Sequence, residues 1–352
     1  MGLLDLFFVA SMPVIRVLLL TALGSFLALD RIDILGDVVR KQLNTVVFFV
    51  FNPALVYSNL ANTITLDRMV LLWFMPLNIL TVCIIGSALG LLLVKTTRAP
   101  QHLKGLILGS CAAGNMGNMP LIIIPAVCRE KGSPFGAPDV CHTFAMAYAS
   151  LSMAIGAICL WSYVYNIVRI FSSNAREGIN LHCSISEEYP HQFTLPHPLS
   201  EENLQVVPTC LFCYCWLYHW NGSSSSEVNH WWDAAIPSII LIMGGNLLKG
   251  LKGSGIQLSF IVGILAVRFI FLPLLGIIIV KGALRFGLVH PDPLFQFVLL
   301  LQYAVPPAIN LGTIIQLFGA GESECSVIML WTYGLASVSL TLWSTLFMWL
   351  VS

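Results

Sequence analysis

Charge is scarce in this chain. Of its 352 residues, 17 are Lys or Arg and 17 are Asp or Glu, so one residue in ten is charged, where a soluble domain carries about a quarter. That leaves too little polar surface to cover a water-soluble globule, and it speaks against disorder and against a soluble enzyme. The formal net charge is zero, which removes the basic field that a nucleic-acid partner would need. Motifs of catalysis are missing too: there is no P-loop, no Gly-rich dinucleotide fingerprint and no Gly-x-Ser-x-Gly elbow. No cofactor is expected.

What is abundant is apolar sequence, 57% of the chain. About 20 apolar residues cross a bilayer core as a helix, and runs of that kind cover 6–29, 42–61, 69–94, 103–127, 141–168, 234–251, 256–280, 293–318 and 325–350. These are nine spans. A tenth segment, 204–220, has an apolar core of 206–220, short for a span. The runs are continuous rather than alternating at period two, which excludes a β-barrel. The first run lacks a basic leader and a small-residue cleavage site, and reads as a retained helix. The expected class is an all-α integral membrane protein.

Every acidic residue lies outside these spans or at their edges, and away from those edges Arg16 and Arg268 are the cations left inside. A relay of buried carboxylates at mid-depth is therefore not expected. With ten spans, the odd loops carry ten Lys or Arg residues and the even loops five, which places the odd loops in the cytosol and both termini opposite. The second half alone, at two against two, is not independently oriented. The acidic, proline-bearing stretch 169–203 reads as a solvated linker. It divides the chain into 1–168, a first five-helix repeat, then 169–233, linker and doubtful sixth helix, and 234–352, the rest of a second repeat.

The informative chemistry lies where two apolar runs are interrupted. The fourth carries Gly114-Asn115-Met116-Gly117-Asn118-Met119-Pro120 with Pro125 beyond, and the ninth carries Pro306-Pro307-Ala308-Ile309-Asn310. Proline removes an N–H and clashes with the preceding turn, so both helices should open. At membrane depth the freed groups must face protein or a polar cavity. The breaks take the fourth place in each half, and five spans per half would invert the second copy. Paired broken helices in inverted halves are the mark of a secondary transporter's site. The half-helix N-termini suit an anionic group, and Asn115, Asn118 and Asn310 add neutral amides, so a carboxylate could be held without a buried cation.

Other polar positions are weaker candidates, since helix packing and kinking explain them as well. Asn52-Pro53 with Ser58 in the second run, and Pro237 with Gly244-Gly245-Asn246 in the run 234–251, again occupy matching places. Tyr148 reads as core packing, Arg16 and Arg268 as snorkelling or carbonyl-bound cations, and Asp67-Arg68 as a surface pair. The ten cysteines read as small hydrophobes with no disulfide framework. Cys210, Cys213, Cys215 and His219 lack a second paired ligand set, so no metal is expected. Asn221-Gly222-Ser223 is a formal glycosylation sequon.

The runs GNMGNMPLIIIPAVCREKGSPFGAPDVCHTFAMAYASLSMAIGAICLWSYVYNIVRI (114–170), IPSIILIMGGNLLKGL (236–251) and PDPLFQFVLLLQYAVPPAINLGTIIQLFGAGESECSVIMLWTY (291–333) resemble the plant PIN-LIKES proteins of the auxin efflux carrier superfamily. The resemblance covers 1–175 and 234–352. It implies a ten-helix, five-plus-five inverted repeat with crossed, broken fourth and ninth helices, related to the NhaA and bile-acid symporter folds. It also implies residence in the endoplasmic reticulum membrane, where such proteins move auxin (indole-3-acetic acid) between cytosol and lumen. Asn118 and Pro125 match the superfamily's Asn-to-Pro spacing at the first crossing helix. Pro306 matches the crossover proline of the second, with Pro307 beside it, Asn310 aligned approximately and Ser58 near a cavity position. The partners implied are a small aromatic carboxylate and membrane lipid, with room for a homodimer.

The stretch 178–233 departs from the pattern, because family members carry a full sixth helix there. Three readings follow: an auxin carrier, a non-transporting splice variant of the same family lacking that helix, and a sodium-coupled organic-anion symporter of the same fold.

Overall fold

The computed structural model describes residues 3–47, 72–130, 132–172, 237–238, 240–245, 255–318 and 321–352. Asn52, Ser58, Asp67-Arg68, Asn246, the 204–220 segment, its cysteine cluster and the sequon lie outside the described residues.

Helices account for nearly all of the described chain. In order they are α1 (Leu3–Leu27), α2 (Asp37–Val46), α3 (Phe74–Thr97), α4 (Gln101–Ala112), α5 (Asn118–Arg129) and α6 (Pro138–Cys159). They continue with α7 (Leu258–Ala266), α8 (Leu272–Arg285), α9 (Pro293–Ala304), α10 (Leu311–Phe318) and α11 (Glu322–Val351). Among the described residues, five continuous helical stretches are long and apolar enough to cross a membrane: Leu4–Leu27, Phe74–Thr97, Pro138–Ser172, Leu258–Arg285 and Glu322–Val351. At about 1.5 Å per residue, a 24-residue helix such as α3 reaches roughly 36 Å, enough for a ~30 Å hydrocarbon core. The expectation of an all-α membrane protein holds.

Local signals set the helix ends more sharply than apolar length does. The sequence places the third span at 69–94, yet α3 begins at Phe74 and runs to Thr97. It stops because Arg98 takes the left-handed conformation (φ 50°) and Pro100 cannot extend the helix. The two runs read as interrupted are indeed split, 103–127 into α4 and α5 and 293–318 into α9 and α10. The long stretches 138–172 and 258–285 stay continuous, each through one π-helical turn, at Leu160–Val164 and Val267–Phe271.

The packing is that of a protein solvated by lipid. Leu19, Ile278, Val338, Leu342 and Trp349 point outward, while Asn78, Ser110, Arg268, Gln302 and Thr332 are fully buried. Polar groups inside and apolar groups outside is the arrangement hydrocarbon favours. Helix α1 lies against α11, α5 against α6 and α3 against α4. At the last contact Gly86 sits on the carbonyl of Cys111, closer than any side chain would permit. α4 is thereby drawn in against α3 just before it breaks.

Candidate functional site: the crossing of two broken helices

The two interruptions meet. Helix α4 ends at Ala112, and Ala113 turns extended (φ −80°, ψ 97°). Helix α9 ends at Ala304, and Val305 is extended (φ −74°, ψ 147°), since the ring of Pro306 disfavours a helical residue before it. The unwound strands run antiparallel, joined by a bridge between Gly114 and Pro307. Asn115 N donates to Pro306 O, and Ala308 N donates to Ala113 O, each at 2.8 Å. Backbone groups freed by the breaks thus satisfy one another at membrane depth, as hydrocarbon requires. The antiparallel sense is the one that inverted halves would generate.

Buried side chains fasten this crossing. Tyr333 on α11 donates its hydroxyl to Pro307 O at 2.7 Å and accepts from Asn115 Nδ2 at 2.9 Å. Asn115 Oδ1 accepts from Asn118 N at 3.2 Å, so this amide is committed to the scaffold at both ends. On the other side, Ser152 donates to Met116 O at 2.6 Å and accepts from Gln302 Nε2 at 2.9 Å. Gln302 Oε1 accepts from Asn78 Nδ2 at 2.8 Å, and Asn78 Oδ1 accepts from Tyr303 at 3.0 Å. Tyr333, Ser152 and Asn78 carried no sequence signal, since one polar residue in an apolar helix looks like any other.

Past the crossing, each strand re-enters a helix. Asn118 opens α5 and Asn310 immediately precedes α10. Both are partly exposed, with Gly117, Ile309 and Gly312 partly exposed around them and Thr313 open. Two half-helix N-termini therefore flank the crossing, where backbone N–H groups and the positive end of the dipole favour an anion. Pro306 and Pro307 form the crossing itself. Pro125 does not: it lies buried inside α5, seven residues and about 10 Å along the helix from Asn118. Tyr148 lies apart as well, donating to Asp292 Oδ2 at 2.9 Å, and Asp292 caps α9 by accepting from Leu294 N.

One expectation is sharpened here and one corrected. First, a buried cation lies beside the crossing, bound to a carbonyl as one of its two sequence readings had it. Arg268 is fully buried, and its Nε donates to Ser110 O at 2.8 Å, one of the last carbonyls of α4. It is carried there by the π turn Val267–Phe271. Pro273 has no N–H for Phe269 O, so the turn widens, and Trp343 Nε1 takes the freed carbonyl at 2.8 Å. Arg16, by contrast, pairs with Glu130 at 2.8 Å. Second, the cysteines are not all small hydrophobes: Cys128, near the end of α5, is disulfide-bonded to Cys141 at the start of α6.

Comparison with known proteins agrees with a membrane transport protein. The family model described as "Membrane transport protein" matches residues 9–188 and 218–344. Protein PIN-LIKES 1 of Arabidopsis thaliana is 50% identical over 100% of this chain and 81% of its own length. Protein PIN-LIKES 3 of the same plant is 46% identical over 99% of each chain, and Protein PIN-LIKES 4 is 40% identical over all of both. The family match reaches 188 and resumes at 218, so 189–217 lies outside it, while the alignments with PIN-LIKES 1 and PIN-LIKES 4 run over the whole chain. By both measures, the chain belongs to the membrane transport protein family and, within it, to the PIN-LIKES proteins.

Proposed function

We propose that the protein is a multi-pass carrier that moves auxin, indole-3-acetic acid or a close aromatic carboxylate, across the endoplasmic reticulum membrane and so sets how much a cell retains. The observation that carries this is the antiparallel crossing of two interrupted helices, with Asn118 and Asn310 at the half-helix N-termini beside it. The crossing offers donors and dipoles of the kind that hold an anion. In this reading the architecture is a five-plus-five inverted repeat, with 1–168 as the first repeat and 234–352 as most of the second. Access alternates as one bundle rocks against the crossed helices. The Cys128–Cys141 bridge spans the fourth loop, one of the even loops assigned to the lumen by the Lys and Arg count. An oxidising lumen is where a disulfide persists.

Retention of radiolabelled indole-3-acetate in cells tests this. Cells expressing the wild type retain more label than control cells, and those expressing Asn118→Ala lose most of the difference. Equal retention by wild type and variant removes Asn118 from the mechanism.

A second reading has an observation of its own. The family match skips 189–217, and the alignment with Protein PIN-LIKES 3 runs over 390 positions against the 352 residues of this chain. A product lacking the sixth helix would leave the second half inverted wrongly and unable to transport. Glycosylation mapping separates the two: a luminal C-terminus supports ten spans and the carrier, a cytosolic one supports nine. Sodium coupling is disfavoured, since the buried Arg268 guanidinium beside the crossing repels a second cation there.

A further inference from the structure

Arg268 is engaged at one of its three nitrogens. Nε donates to Ser110 O, whereas Nη1 and Nη2, both buried, have no hydrogen-bond partner among the described residues. A guanidinium carries five N–H donors and stays protonated inside proteins. Bringing such an ion out of water costs several kcal/mol even after relaxation. The C-terminus of α4 offsets this only in part, with roughly half an elementary charge. Capping Ser110 O occupies the Nε edge. The forked Nη1–Nη2 edge, whose spacing matches the two oxygens of a carboxylate, is left over.

The position of that fork is specific. A Cβ built on Gly114 would lie 3.1 Å from Arg268 Nη1, so the guanidinium reaches the bridge between Gly114 and Pro307 from behind. Gly114 is itself partly exposed, but Val305 and Met116 lie 3.0 and 3.2 Å from the same built Cβ, so the fork is covered here and the crossing must shift for a carboxylate to reach it. The ion pair found among the described residues joins Arg16 to Glu130, and no acidic side chain there pairs with Arg268.

We propose that Arg268 is the counter-charge for the substrate: the carboxylate of an arylacetate pairs with Nη1 and Nη2 at the Gly114 side of the crossing. This rests on the carrier reading above and narrows its cargo to planar monocarboxylates taken as the anion, not as the neutral acid or an amide. It also links binding to movement. Empty, the crossing holds an uncompensated charge; loaded, it is neutral and more readily passed through the apolar layer during rocking.

The test uses the purified full-length chain in nanodiscs and measures equilibrium binding of indole-3-acetate and of its neutral isostere indole-3-acetamide. The wild type binds the acid roughly ten- to a hundredfold more tightly than the amide, the range of a desolvated bidentate charge pair. Arg268→Gln binds both alike, and Arg268→Lys, which keeps the charge without the fork, falls between. A purely structural Arg268 gives a different result: Arg268→Gln is less heat-stable but keeps the acid-to-amide ratio, and that overturns the proposal. Should Arg268→Gln not fold, the wild-type ratio and that of Arg268→Lys decide, and equal affinities for acid and amide in the wild type overturn it. Wild-type protein that binds neither compound overturns the carrier reading itself. A ratio preserved in Arg268→Gln removes only the role given to Arg268.

Discussion

The hydroxyl of Tyr333 donates to the carbonyl of Pro307 at 2.7 Å while accepting from the amide of Asn115 at 2.9 Å. One side chain on the last helix thereby holds both strands of the crossing. Tyr333→Phe leaves Pro307 O and one Asn115 N–H buried without that partner, at a cost of about 1–3 kcal/mol for each group. Thermal unfolding of the purified protein should fall accordingly, with transport lost at temperatures where the fold persists. A variant as stable and as active as wild type would show that the crossing does not depend on this pin.

The network on the opposite side predicts an order of effects. Asn78→Leu removes bonds to Leu299 O, Gln302 Oε1 and the Tyr303 hydroxyl, whereas Gln302→Leu removes those to Asn78 and Ser152. Asn78→Leu should therefore be the more destabilising. Because the two share a bond, the double variant should cost less than the sum of the singles, with a coupling of about 0.5–3 kcal/mol. Simple additivity in a double-mutant cycle would mean that the two amides act separately.

Close helix contact gives a paired prediction. Gly86→Ala drives a methyl into the carbonyl of Cys111, while Gly334, exposed on α11, has nothing within 4 Å of a built Cβ. The first substitution should destabilise by about 1–3 kcal/mol. The second should be neutral or stabilise by up to about 1 kcal/mol through helix propensity. Unfolding temperatures of the two variants against wild type decide it, and matching losses would refute the contact argument.

The bridge between Cys128 and Cys141 predicts a redox signature. Peptide mapping of membranes prepared under thiol-blocking conditions should recover 128 and 141 as one cross-linked pair, and Cys83 and Cys111 as free thiols. Labelled free thiols at 128 and 141 would remove the bridge, and with it the disulfide's support for a luminal fourth loop.

Much of the crossing was legible because proline and glycine act on their own backbone. Pro306-Pro307 and the Gly114–Pro120 cluster mark their breaks without help from the rest of the chain, and their matching places in two halves point to a meeting. Side chains that act across helices were less visible. Arg268 reads from sequence as a cation that snorkels or binds a carbonyl; which carbonyl is decided by the π turn, set by Pro273 and stabilised by Trp343, that turns it toward Ser110. Tyr333 is one aromatic residue among many in an apolar run, and its value lies in a partner 26 residues away. Cys128 and Cys141 sit 13 residues apart at two helix ends. Apolar neighbours made them look like packing residues, although the turn between α5 and α6 brings them together. Pro125 was singled out by its spacing from Asn118, yet it lies inside α5, which continues through it, and not at the crossing.

The central claim is that the crossing carries an aromatic carboxylate through the membrane. Uptake of radiolabelled indole-3-acetate into proteoliposomes holding the purified full-length chain tests it most directly. The account predicts saturable uptake above protein-free vesicles, reduced at least about tenfold by Asn118→Ala if that residue orients the cargo within the site. Uptake indistinguishable from protein-free vesicles, with the wild-type chain folded and inserted, would contradict it.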